Sequence, residues 1–196
     1  MKSVIPIIVL CLLIGFSSCG KKNADMTQKQ DKKTESQQAV QKTYFAINEV
    51  DKNPSKGVIP SFSWDENGKK TSIKDYNGKV LFINLWATWC GPCKAEIPDL
   101  MTISNSLKNK DFKMIGIQVL QQANAQPLED YLKTNPISYL ILDGNNELVS
   151  AFETAMGNTI DGIPMTIIAD KSGKIVDTIL GKLSKEQYLE KINKYL

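Results

Sequence analysis

Histidine and arginine are absent from this chain of 196 residues, and all 24 basic side chains are lysine. Without histidine there is no Ser-His or Cys-His nucleophile pair and no imidazole-held metal. Cysteine is scarce. Cys11 and Cys19 lie near the start, Cys90 and Cys93 in the interior. If the start is processed, one pair remains, with no second pair to complete a zinc site or a disulfide framework. A basic excess is missing too. The net charge is +3, but residues 57–196 hold fifteen lysines against sixteen acids; residues 20–56 hold eight against five. The part able to fold is near neutral and has no electrostatic footprint for nucleic acid. No internal repeat is visible. The apolar run Val4 to Phe16 is too short to span a bilayer comfortably.

What is present converges on Trp86-Ala87-Thr88-Trp89-Cys90-Gly91-Pro92-Cys93. The largely apolar run Val80 to Leu85 leads in, and an amphipathic segment from Lys94 to about Lys110 leads out. That order predicts a strand, a tight turn and a helix, with two thiols at the helix entry. Thiolate is the reactive form of cysteine, and a helix N-terminus stabilises negative charge. Pro92 suits the first turn, where its missing N–H costs nothing. Gly91 lets the chain turn tightly and leaves the first sulfur uncovered. Two intervening residues allow a small disulfide ring to open and close, so the pair can exchange with another disulfide. Cys90, nearer the helix end, is the expected nucleophile; Cys93, one turn inside, is the expected resolving thiol. Half a metal site or a plain structural bridge is the alternative reading of Cys-X-X-Cys.

The Trp-Cys-Gly-Pro-Cys-Lys run resembles the active site of the thioredoxin superfamily. The longer string from Gly78 to Pro98 resembles its membrane-tethered TlpA/ResA branch. The resemblance implies an α/β thioredoxin fold, a central mixed β-sheet flanked by helices. It also implies a TlpA-like helix-strand insertion, here from about Leu120 to Leu142. Gly-Ile-Pro-Met-Thr around Pro164 resembles the cis-proline loop of the superfamily, which faces the disulfide; Ile163 would then pair with substrate backbone. An ordinary trans proline at a strand start is the alternative. Trp89, Gly91 and Pro92 would complete a substrate-binding rim, although Trp89 could equally be simple packing. Thioredoxins carry a buried acid six residues before the first cysteine. Here that position is Asn84, which cannot take a proton. Glu96, three residues after Cys93 on the same side of the helix, is the expected replacement; a first-turn Glu favoured by the helix dipole is the plainer reading.

Residues 1–19 read as a secretory signal. Phe16-Ser17-Ser18-Cys19 resembles a lipoprotein box, with Cys19 lipidated; an uncleaved signal anchor is the alternative. Residues 20–56 read as a disordered polar tether, since they hold too few apolar side chains to offset chain entropy. Tyr44 to Ile47 is left open as an accessory element. Residues 57–196 form the expected domain. Its strands fall near 59–64 (an edge strand), 80–86, 112–119, 138–142, 163–168 and 175–180. Its helices fall near 94–109, 127–134, 147–156 and 184–196, the last opened by Ser184 with Gln187 three residues on.

The function this implies is an extracytoplasmic thiol-disulfide oxidoreductase, anchored to a membrane by lipid and needing no cofactor or metal. Its partners would be disulfide-containing client proteins, apocytochrome c among the candidates, and a membrane electron donor of the DsbD or CcdA kind. Cys-Gly-Pro-Cys resembles reducing thioredoxins, whose potentials lie near about −270 mV, so reduction is the expected direction. Two other readings stand beside it: a tethered binding module with incidental thiols, and a thiol peroxidase. The latter is disfavoured because peroxiredoxin sites resemble a Thr-Cys-Arg constellation and this chain has no arginine.

Overall fold

The computed structural model describes residues 43–196. The expected signal, Cys19 and most of the expected tether lie outside the described residues. The elements in order are β1 (Phe45–Val50), β2 (Phe62–Glu66), β3 (Lys69–Ser72), a 3-10 turn (Ile73–Tyr76), β4 (Val80–Trp86), α1 (Gly91–Ser106) and β5 (Phe112–Gln118). They continue with α2 (Leu128–Thr134), β6 (Leu140–Asp143), α3 (Asn146–Met156), β7 (Met165–Ala169), β8 (Ile175–Leu180) and α4 (Lys185–Asn193).

All eight strands form one sheet in the order β3-β2-β1-β6-β5-β4-β7-β8. The middle four are parallel neighbours, and both wings are antiparallel. The sheet is therefore mixed, as expected. β4 is buried at all seven positions, which requires cover on both faces. Alternation sends Val80, Phe82 and Trp86 to one face, among residues of α1, α2 and α4, and Leu81, Ile83 and Leu85 to the other, against α3. Asn84 keeps the phase of Phe82 and Trp86, and so falls on the α1/α4 face. Each large apolar side chain buried this way contributes roughly 1.5–3 kcal/mol.

Two expectations are corrected. The folded part does not wait for residue 57. Phe45–Val50 is a full strand, antiparallel to β2 and parallel to β6, with Phe45 and Ile47 turned into the core. Asp51 N–H also donates to Ser61 O at 2.8 Å. The tether as expected is thus too long: Phe45–Val50 carries four apolar residues, and two buried side chains with a ladder of backbone bonds order it. Residues 59–64 are also not an edge strand. β2 begins at Phe62 and lies between β1 and β3, so the edge falls to the polar β3. The expected helix-strand stretch at 120–142 is α2 and β6, and β6 joins β5 to β1.

Candidate active site

β4 delivers the chain to the site and α1 begins there. Cys90 is the N-cap of α1: its sulfur accepts the Cys93 N–H at 3.2 Å, satisfying one of the helix's free donors. Pro92 occupies the first turn. The helix opens directly after Cys90, as the motif implies and three residues before the expected 94–109 stretch, and continues through Pro98. Cys90 and Cys93 form a disulfide with Cα atoms 5.3 Å apart, within the ordinary span. Both cysteines are buried, Cys90 at 4% exposure and Cys93 at 0%. Gly91 and Pro92 between them are exposed.

The cis-proline loop closes over the first sulfur. The Ile163–Pro164 peptide bond is cis, and the Ile163 carbonyl oxygen lies 3.7 Å from Cys90 Sγ. Ile163 is half-buried and Pro164 buried. Trp89 is 38% exposed, so its role is not core packing. Its indole N–H donates to Leu120 O at 2.9 Å, and Thr88 Oγ1 donates to Gln126 O at 2.6 Å. These two bonds fasten the lead-in to the active site onto the loop before α2. Leu120 has φ +50°, a left-handed conformation that a branched side chain adopts only when its surroundings hold it there.

Glu96 is fully buried, on the α1 turn after Cys93. Asn84 Nδ2 donates to its Oε1 at 2.8 Å, and Tyr188 Oη donates to its Oε2 at 2.8 Å. Burial pushes the Glu96 carboxyl above the ordinary range; the two hydrogen bonds and the Lys182 cation counteract in part, and Asp99 adds to the rise. Asn84, at the position of the missing acid, is thus a direct partner of Glu96. Tyr188 was missed by sequence reasoning. It is fully buried on α4, edge-on to Phe82 with ring centres 5.3 Å apart. Burial, with Glu96 nearby, pushes its phenol up to about 12. The available signal was Tyr188 with Ile192, an i, i+4 pair on one face of α4. Gly116 pairs with Asn84 across β4 and β5. A Cβ there would meet Ile141 Cδ1 at 2.8 Å and Tyr139 Cε2 at 3.0 Å, so the missing side chain makes room for the Tyr139 ring. Of the expected residues, then, Cys90, Cys93, Gly91, Pro92, Ile163 and Pro164 meet at one place. Glu96 lies on the floor beneath, and Trp89 on the rim.

A disulfide at a helix N-cap, beside a cis-proline loop, is a pattern shared with known proteins. The sequence profile of the Redoxin family matches residues 54–196. The chain belongs to the Redoxin family. Within it the chain is ResA-like, of the thioredoxin superfamily. It is 30% identical over 132 residues to a thiol-disulfide oxidoreductase ResA of Bacillus cereus, covering 65% of this chain and 72% of that one. It is 26% identical over 125 residues to sporulation thiol-disulfide oxidoreductase A of Bacillus subtilis, covering 63% and 72%. Among solved structures, a thiol:disulfide interchange protein of the thioredoxin family from Chlorobium tepidum TLS superposes with a TM-score of 0.62 at 31% identity, over 72% of this chain and 97% of that one. This Redoxin-family chain has the thioredoxin fold and is a thiol-disulfide oxidoreductase.

Proposed function

We propose that the protein reduces disulfides of client proteins outside the cytoplasm, with Cys90 as nucleophile and Cys93 as resolving thiol. The carrying observation is the asymmetry of the pair. Cys90 caps the helix under an exposed rim and beside the Ile163 carbonyl, while Cys93 is sealed with Glu96 next along the helix. Cys90 thiolate attacks one sulfur of the client disulfide, and the other client sulfur leaves and takes up a proton. Cys93 then loses its proton and attacks Cys90 Sγ. The second client thiol leaves, and two electrons have passed from the enzyme dithiol to the client. Glu96, placed to accept the Cys93 proton, lowers the cost of forming a thiolate away from water. A membrane dithiol donor of the DsbD or CcdA kind would restore the reduced pair, and cytochrome c maturation is the candidate setting. Trp89, Gly91, Pro92, Ile163 and Pro164 would form the client-binding surface. Cys19 would carry the lipid that holds the domain in the cell envelope.

Equilibration with glutathione tests the direction. A Cys90–Cys93 potential near that of reducing thioredoxins, about −270 mV, supports the reductase; one near the oxidant DsbA, about −120 mV, reverses it. Cys19→Ser tests the anchor. The variant should leave the membrane fraction or stay unprocessed, and normal processing and fractionation would rule lipidation out.

A further inference from the structure

We propose that Asn84 and Tyr188 are positioning residues that hold the Glu96 carboxyl as proton acceptor for Cys93 and serve it in both of its charge states. The inference rests on the reading of Cys93 as the resolving thiol. In the charged state each carboxylate oxygen has one donor, and the two donors come from opposite elements: Asn84 Nδ2 from β4 to Oε1, and Tyr188 Oη from α4 to Oε2, both at 2.8 Å. Tyr188 Oη receives the Leu183 N–H at 3.3 Å, which leaves its own proton free to point at Glu96. Two donors on two oxygens fix the plane of the group as well as its place.

The neutral state makes a different demand. Once Glu96 takes the Cys93 proton, its O–H needs an acceptor in a site without solvent. Asn84 Oδ1 is buried and has no partner. A half-turn of the Asn84 amide exchanges Nδ2 for Oδ1 and presents that acceptor where the donor had been. An aspartate at position 84 could not do this: it would set a second carboxylate against Glu96. An amide at this position thus suits a group that must gain and lose a proton in each cycle. The proton leaves Cys93 Sγ for a Glu96 oxygen as the thiolate forms, and returns when the disulfide is next reduced. The other groups facing Glu96 are few. Lys182, in the loop before α4, favours the anion and donates to Ala95 O at 3.0 Å. Asp99, further along α1, opposes it. Tyr139, buried before β6, is held as the neutral phenol by burial and by Glu96.

The test uses reduced full-length protein with 13C-labelled glutamate, following the Glu96 carboxyl carbon against pH. In parallel, the rate at which Cys93 resolves a mixed disulfide formed with 2-hydroxyethyl disulfide is followed over the same range. Tyr188→Phe keeps the ring on Phe82 and removes one donor to the anion. It should move both the titration and the acid limb of the rate profile upward by about one pH unit. Asn84→Leu should move both the same way, and Asn84→Asp should turn one titration step into two coupled ones. An unmoved Glu96 titration in Tyr188→Phe and Asn84→Leu overturns the proposal. So does a titration that moves while the rate profile stays fixed, which would remove Glu96 as acceptor yet leave the disulfide chemistry standing. Wild-type protein inert to 2-hydroxyethyl disulfide would instead bring down the thiol reading itself, and this proposal with it.

Discussion

The two sulfurs of one disulfide sit in opposite surroundings. Around Cys90 lie Trp89, the exposed Gly91 and Pro92, the Ile163 carbonyl and, near the same loop, Leu180 at 64% exposure, with its Cδ1 3.5 Å from where a Gly162 Cβ would stand. Around and below Cys93 lie Glu96, Asn84 and Tyr188, all sealed from water. The rim is open, and the floor is polar and closed. In the proposed function the rim meets the client and the floor handles the proton, so the choice of client would fall to the rim and the rate of its release to the floor.

The sharpest way to break this division is to exchange the sulfurs. Cys90→Ser should lower insulin reduction to the background rate. Cys93→Ser should retain the first attack and accumulate client adducts on Cys90 that reductant removes. Adducts that accumulate through Cys93 in Cys90→Ser, with none through Cys90 in Cys93→Ser, would invert the two roles.

Glu96→Gln attacks only the floor. It keeps the size of the side chain and removes proton exchange, so resolution of the mixed disulfide near neutral pH should slow by about 10²-fold, while attack by Cys90 on a small disulfide changes little. The same variant carries a stability signature. The Glu96 carboxyl is raised in the folded state by burial. At acid pH it is neutral, folded or unfolded, and costs nothing. As pH climbs through the ordinary carboxylate range the unfolded chain ionises first, and stability falls until the folded group has also ionised. Thermal melts of wild type should show that loss, and Glu96→Gln should lack it. Parallel pH dependences in the two proteins would contradict the burial argument.

Gly116→Ala probes whether the floor tolerates crowding. The added methyl would press on Ile141 and Tyr139, and overpacking of this kind costs about 1–3 kcal/mol. The melting temperature should drop while activity per folded molecule persists. The smallest effect belongs to the rim. Leu180→Ser removes an exposed apolar side chain, and should raise KM for a protein client a few-fold with no change toward 2-hydroxyethyl disulfide. An equal change toward both substrates would show that rim and floor are not separable.

Much of this was legible in the sequence. The run from Val80 to Trp86 announced a strand buried on both faces, and Ser184 with Gln187 announced the start of α4, where the capping box is present. The motif order placed both thiols at the helix entry. What escaped depended on distant partners. Phe45 and Ile47 alternate correctly, but the strands that satisfy β1 begin at Phe62 and Leu140, and no local pattern names them. β3 is mostly polar and becomes a strand because β2 offers it a ladder. Glu96 was found because it shares a helix face with Cys93. Tyr188 was not: its spacing with Ile192 marks a buried face, but nothing local pairs its phenol with a residue 92 positions away.

Synthesis runs from β1 to α4, so the Tyr188–Glu96 bond can form only late. Tyr188 follows Glu96 by 92 residues. During synthesis both cysteines and the glutamate emerge well before the phenol that completes the site. An unfinished or partly unfolded chain therefore carries its dithiol without the second donor to Glu96, and without the helix that seals the pocket. On the proposed role of Glu96, fast resolution would belong to the closed chain alone, and a protein that has failed to dock α4 should hold on to its mixed disulfides rather than turn over.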